Sequence, residues 1–194
     1  MANEMDKLRS ELEKLVAEVY EGERKILVHG EGATASRVML IGEAPGEQET
    51  LQRRPFVGKA GKNLNEFLEL AGLERSDLYV SNTVKFRPTK ISAAGRVVNR
   101  PPTKEEIKLF LPFLKREMEL VQPEVVVTLG NVPLRALLGN RVVIGDVHGR
   151  FQAWENMRIY PMYHPASLIY NPGLRDTYAD DIRRLARHLA GNHD

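Results

Sequence analysis

Apolar residues along this chain fall into two alternating patterns, and together they outline a fold. Leu8, Leu12, Leu15, Val16 and Val19 recur at helical spacing with Lys and Glu between them, which predicts an amphipathic helix over about 4–20. Val38-Met39-Leu40-Ile41 is instead a continuous apolar run, closed by the turn residues Gly42, Pro45 and Gly46, and suits a strand buried on both faces. Similar runs return at Leu78-Tyr79-Val80, ending at Ser81-Asn82, and at Val125–Leu129, closed by Gly130. A fourth run, 158–163, is interrupted by Pro161 and is assigned to a sheet edge. Helical stretches separate these runs: 61–70 with Gly72 just past its end, Lys104–Val121 opened by a Thr103/Glu106 capping box, Asn131–Leu138, and 174–190. Ile26-Leu27-Val28 reads as a short edge strand before a loop at 29–32, and 142–154 as irregular with room for a small hairpin. Strands alternating with helices give an α/β class: a three-layer α/β/α arrangement around a central, mainly parallel, four-stranded sheet, in one domain over 1–194.

Parallel strands share one rim at their carboxyl ends, and open α/β sheets bind ligands there. In this chain the rim collects Glu43 after the first strand, Asn82 after the second and His164 after the fourth. A second glycine-rich segment, RPFVGKAG at 54–61, sets Phe56 on a turn before a helix. Neither a dinucleotide fingerprint nor a P-loop is present, so the glycines alone name no ligand. A GxSxG nucleophile elbow is also missing.

Composition narrows the classes further. Hydrophobic residues at 42% and charged residues at 28% are ordinary for a globular chain, and a net charge of +2 does not announce a nucleic-acid binder. The distribution of charge says more. No acid lies between Asp77 and Glu105, while Lys85, Arg87, Lys90, Arg96, Arg100 and Lys104 are all basic. That stretch is either a phosphate-contacting surface or a solvated loop, and 83–102 reads as long and irregular. The absence of cysteine excludes disulfides, thiolate metal sites and cysteine nucleophiles. No apolar run is long enough to span a membrane and the start shows no signal-peptide pattern, so no membrane association and a cytoplasmic location are expected.

Five motifs in order carry a family resemblance. GEAPG at 42–46, RPFVGKAG at 54–61, NTVKFRP at 82–88, NRPPT at 99–103 and HPASL at 164–168 resemble the uracil-DNA glycosylase superfamily, nearest to the branch called family 4. The resemblance runs from about Gly30 to the last helix. It implies an enzyme that flips uracil out of DNA and hydrolyses its N-glycosidic bond in base excision repair, acting as a monomer on nucleoid DNA. The resemblance gives Glu43 the attacking water and His164 the charge developing at uracil O2. Phe56 stacks on the base, Asn82 reads its edge, and Gly42, Ala44 and Gly46 bound the base pocket, with Gly46 leaving room beside C5. Lys85, Arg87, Lys90, Arg96 and Arg100 are expected phosphate contacts, together with Ser167. Leu168, Ile169 and Tyr170 are either a minor-groove wedge or ordinary core positions. The alternatives are a glycosylase for another deaminated base, such as hypoxanthine, or a non-catalytic uracil- or DNA-binding member.

Two departures stand out. Family 4 enzymes normally hold an iron–sulfur cluster on four cysteines, whereas this chain has Phe86 and Phe110 at two of those places and lacks the amino-terminal pair. Neither a cluster nor a metal is expected, and the two rings are expected to fill the space with core packing. The second departure is an insertion, 89–98, with Asn99 aligned to a histidine that traps the sugar covalently in a related branch. An amide is a poor nucleophile, so no such adduct is expected here.

Overall fold

The computed structural model describes residues 2–191. Helix α1 (Ala2–Val19) precedes strand β1 (Glu31–Gly32), strand β2 (Val38–Gly42) and helices α2 (Glu47–Gln52) and α3 (Lys59–Leu70). Strand β3 (Tyr79–Asn82) is followed by the hairpin β4 (Thr89–Ile91) and β5 (Val97–Asn99), then helix α4 (Lys104–Val121). Strand β6 (Val125–Leu129), helices α5 (Asn131–Leu138) and α6 (Ile144–Val147), and strands β7 (Gln152–Trp154) and β8 (Met157–Met162) come next. The described chain closes with α7 (Ser167–Tyr170) and α8 (Arg175–Leu189).

The main sheet runs β1-β3-β2-β6-β8-β7. Its inner strands β3, β2, β6 and β8 are mutually parallel, and β1 and β7 add on antiparallel at the two edges. The sheet therefore has six strands where four were expected. Both additions are too short, at two and three residues, to leave an apolar run. The expected strand at 26–28 is not formed; Val28 N–H donates instead to the Lys85 carbonyl at 2.7 Å.

Alternation along β2 explains its unbroken apolar sequence. Val38 and Leu40 pack with Leu64, Phe67 and Leu68 of α3 and Tyr178, Ile182 and Leu185 of α8. Met39 and Ile41 face the other way, into Met5 and Leu8 of α1 and Leu114 and Met118 of α4. Each face of the strand meets a helix layer, so neither can be polar. Pro161 lies in β8, an inner strand, which corrects its placement at an edge. The β7 ladder ends at Ile159, and the Pro161 carbonyl on that side accepts from Gly149 N–H at 2.9 Å. The missing proline N–H thus falls where no strand asks for a donor.

A third cluster joins α1 to α4 through Leu12, Val16, Val84, Phe86 and Phe110. The Phe86 and Phe110 rings meet edge to face at 5.6 Å, and Tyr20 closes on Phe86 at 5.3 Å. The segment 83–102 also departs from the irregular loop expected, since half of it is the β4–β5 hairpin.

Candidate active site

The carboxyl ends of β2 and β3 are laced together. Thr83 N–H and its hydroxyl both donate to the Gly42 carbonyl, at 2.8 and 2.9 Å, and Val84 N–H donates to the Glu43 carbonyl. This fixes Asn82 beside Gly42, where an added Cβ would run into both Asn82 Oδ1 and the Phe56 ring. Glycine at 42 is thus a matter of clearance. The Phe56 turn is tighter still, because Gly61 of α3 sits against the Phe56 backbone with no space for a side chain. Phe56 itself adopts φ 52°, a left-handed conformation that is costly for a non-glycine residue. Arg75 clamps this turn by donating to the carbonyls of Pro55 and Phe56 at 2.6 and 3.1 Å. Phe56 is thereby held 5.9 Å from the His164 ring, tilted 30° to it.

These residues face a cavity of about 380 Å³. Its wall includes Ala44, Gly46, Phe56, Asn82, His164, Ile169 and Tyr170 of the predicted residues. Asn82 is 3% exposed, and among the described residues nothing in the protein hydrogen-bonds its side-chain amide. Its amide lies at the cavity wall and takes its partners from there, from water or a ligand. His164 Nδ1 accepts from Ala166 N–H at 3.1 Å, which leaves Nε2 to carry the ring proton. Burial pushes the imidazole down to about 4, so it is neutral at physiological pH. The site therefore presents a neutral N–H donor.

Three carboxylates lie at this rim, and they differ: Glu47 lines the cavity, largely exposed, with its Oε1 3.5 Å from Arg87 Nη1. Glu49, unremarked in the sequence, lines the cavity and is fully engaged: Oε1 accepts from Val57 and Gly58 N–H at 3.0 and 2.7 Å, and Oε2 from Gly46 N–H at 3.2 Å. It straps the two glycine-rich segments together. Its only advance signal was the capping-box spacing from Gly46 to Glu49. Glu43 precedes the wall residue Ala44 and is half-buried, though not itself part of the wall. Its carboxyl is raised above the usual range by burial, and among the described residues its side chain accepts no hydrogen bond. Of the two carboxylates sheltered from bulk solvent, Glu43 is the one with capacity to spare for a water.

The predicted DNA contacts divide sharply. Lys85 is buried: Nζ donates to Glu117 Oε2 at 2.6 Å, Ser81 Oγ at 2.5 Å and the Asn82 carbonyl at 2.8 Å. It cannot reach a phosphate and instead holds the backbone of Asn82 from beneath. Arg100 forms a bidentate pair with buried Glu106, at 2.8 and 2.6 Å, and braces the start of α4. Leu168 is core, packed in the α3/α8 layer, so the wedge reading fails for it while Ile169 and Tyr170 remain exposed. Ser167 is half-buried, its N–H on the His164 carbonyl. Lys90 and Arg96 are exposed on the hairpin. Arg87 donates through Nε to Asn99 Oδ1 at 2.7 Å, which turns the Asn99 amide donors outward at the cavity wall.

A family model described as the uracil DNA glycosylase superfamily matches residues 29–187. The chain belongs to that superfamily. It is similar to a Type-4 uracil-DNA glycosylase of Saccharolobus solfataricus, 37% identical over 176 residues, covering 86% of this chain and 78% of that one. A Thermotoga maritima protein of the same name is 37% identical over 165 residues, with 83% and 82% covered. A Type-5 uracil-DNA glycosylase of Pyrobaculum aerophilum is 34% identical over 166 residues, with 80% and 73% covered. The crystal structure of Pedobacter heparinus SMUG2 shares the fold at TM-score 0.55 and 15% identity, covering 81% of this chain and 77% of that one. The iron–sulfur cluster implied by the family 4 resemblance does not fit the residues present here. The chain has no thiolate, and two packed phenyl rings occupy the positions concerned. Among the described residues no group of three or more His, Asp or Glu side chains forms an alternative metal site. No described helix is long and apolar enough to cross a membrane.

Proposed function

We propose that this chain is a uracil-DNA glycosylase, hydrolysing the N-glycosidic bond of a uracil extruded from DNA. The observation that carries the reading is Asn82: a buried amide with no internal partner, in one cavity with Phe56 and the His164 imidazole. An Asn amide can accept from uracil N3–H and donate to O4, while cytosine offers the reverse pattern and leaves both groups unpaired. Phe56 supplies a face on which the flipped base stacks. As the C1′–N1 bond breaks, its electron pair moves into the uracil ring and charge grows at O2. The neutral His164 Nε2–H hydrogen-bonds that oxygen, a preorganised contribution of typically ~3 kcal/mol. Water adds to C1′ of the oxocarbenium-like sugar and gives one proton to Glu43, leaving an abasic site and the uracil anion, which takes a proton from solvent to become free uracil. Lys90 and Arg96 supply phosphate contacts at the mouth. The substrate places the enzyme with cytoplasmic, nucleoid DNA, and no step uses an iron–sulfur cluster.

The test is incubation with oligonucleotides carrying uracil, hypoxanthine or thymine, followed by alkaline cleavage. Strand scission at uracil is expected. Scission at hypoxanthine alone would reassign the base, and binding without scission would reduce the chain to a recognition module.

A further inference from the structure

The β4–β5 hairpin pairs Thr89 with Asn99, Lys90 with Val98 and Ile91 with Val97. Successive side chains alternate between faces, so Thr89, Ile91, Val97 and Asn99 share one. Asn99 lies in the cavity wall, which makes this the cavity-side face. Farther out on it, Ile91 and Val97 are 67% and 56% exposed. Ile169 and Tyr170, in the same cavity wall as Asn99, are 45% and 86% exposed. Of the eight exposed large apolar side chains among the described residues, Ile169 and Tyr170 line this cavity, and Ile91 and Val97 share the hairpin face of its wall residue Asn99. An isolated exposed apolar residue needs no explanation, but such a concentration does.

The surrounding charge selects the occupant. Lys90 and Arg96 flank the apolar pair, and no acid occurs between Asp77 and Glu105. Apolar side chains set among unopposed cations suit base faces between phosphates. The geometry points to the hairpin as a second base-contacting jaw: Ile91 and Val97 pack on bases beside the extruded nucleotide and keep the duplex parted, together with Ile169 and Tyr170. This inference rests on the uracil-DNA reading. It adds a duplex-specific task that the base pocket does not need.

Its test compares substrates. The variant I91T/V97T keeps β-branched side chains, and hence the hairpin, while removing apolar surface. Single-turnover excision should fall about tenfold on duplex uracil and less than about twofold on the same strand alone. A 2-aminopurine opposite the uracil should brighten when wild-type protein binds and less with the variant. Equal losses on both substrates would make the hairpin a support of the pocket, and no loss on either would make it irrelevant to DNA opening; each result overturns the inference. A wild-type protein inactive on uracil in duplex and single strand alike would instead sink the underlying glycosylase reading.

Discussion

At the residue scale, His164 and Glu43 respond to pH in opposite ways. Folding lowers the His164 value from 6.5 to about 4 by burial, so the unfolded chain binds the extra proton as pH falls. Its contribution to stability is complete above about 6.5 and is lost between 6.5 and about 4. Glu43 is raised by burial and acts with the opposite sign, becoming easier to bury as it takes its proton. The melting temperature of His164→Ala should therefore fall less on acidification than that of the wild type; parallel curves would show an imidazole already solvated. Catalysis separates the two further. Burial raises the Glu43 value and lowers the His164 one, so the acid limb of single-turnover base release is expected to belong to Glu43. Glu43→Gln should be slow and flat across that limb. His164→Ala should lose on the order of 10²–10³ in rate and keep the limb. Retention of the wild-type profile by Glu43→Gln would transfer the base role elsewhere, with Glu47 and Glu49 the carboxylates in the cavity wall.

At the scale of elements, α4, β6 and α5 were legible to the residue, because capping signals and apolar runs bounded them. Helix α2 was not, since it has six mostly polar residues and buries none of them. The rim residues Asn82, Phe56 and His164 could be read because strand ends and turns carry local signals. Lys85 could not. Its burial depends on Glu117, 32 positions along the chain on α4, and no local pattern records that meeting. Tyr79 and Ser81 complete the network, donating to Glu117 at 2.9 and 2.8 Å. Breaking one side of a buried pair strands the other, so Lys85→Met should cost about 3–5 kcal/mol in denaturant unfolding. Adding Glu117→Gln should recover part of that loss, and an additive double variant would show that the two do not interact. The phenyl rings of the third cluster make a second test. Phe110→Ala should cost about 3–5 kcal/mol, since Phe110 is fully buried against Phe86. A near-zero cost would mean that the packing around the ring is loose.

At the scale of the whole molecule, a net charge of +2 hides a strong asymmetry. Of the basic residues between Asp77 and Glu105, Lys85 is spent inside the protein and Arg100 on Glu106. Arg87 is tied to Asn99 and Glu47, which leaves Lys104 at the start of α4 and, on the hairpin, Lys90 and Arg96, whose side chains, among the described residues, make no ion pair. A cation already paired gives little to a phosphate, because binding must first break the internal contact. DNA affinity should therefore depend on the two hairpin residues far more than on Lys85 or Arg100. Each phosphate neutralised on duplex DNA contributes about −0.9 to the slope of log affinity against log salt. Lys90→Ala/Arg96→Ala should flatten that slope by up to about 1.8 while single-turnover excision at saturating protein stays near the wild-type rate. Arg100→Ala should leave the slope alone and lower the melting temperature, since Glu106 loses its partner. The reverse outcome, a flattened slope from Arg100→Ala and none from the hairpin pair, would mean that the DNA runs over the start of α4 rather than across the hairpin.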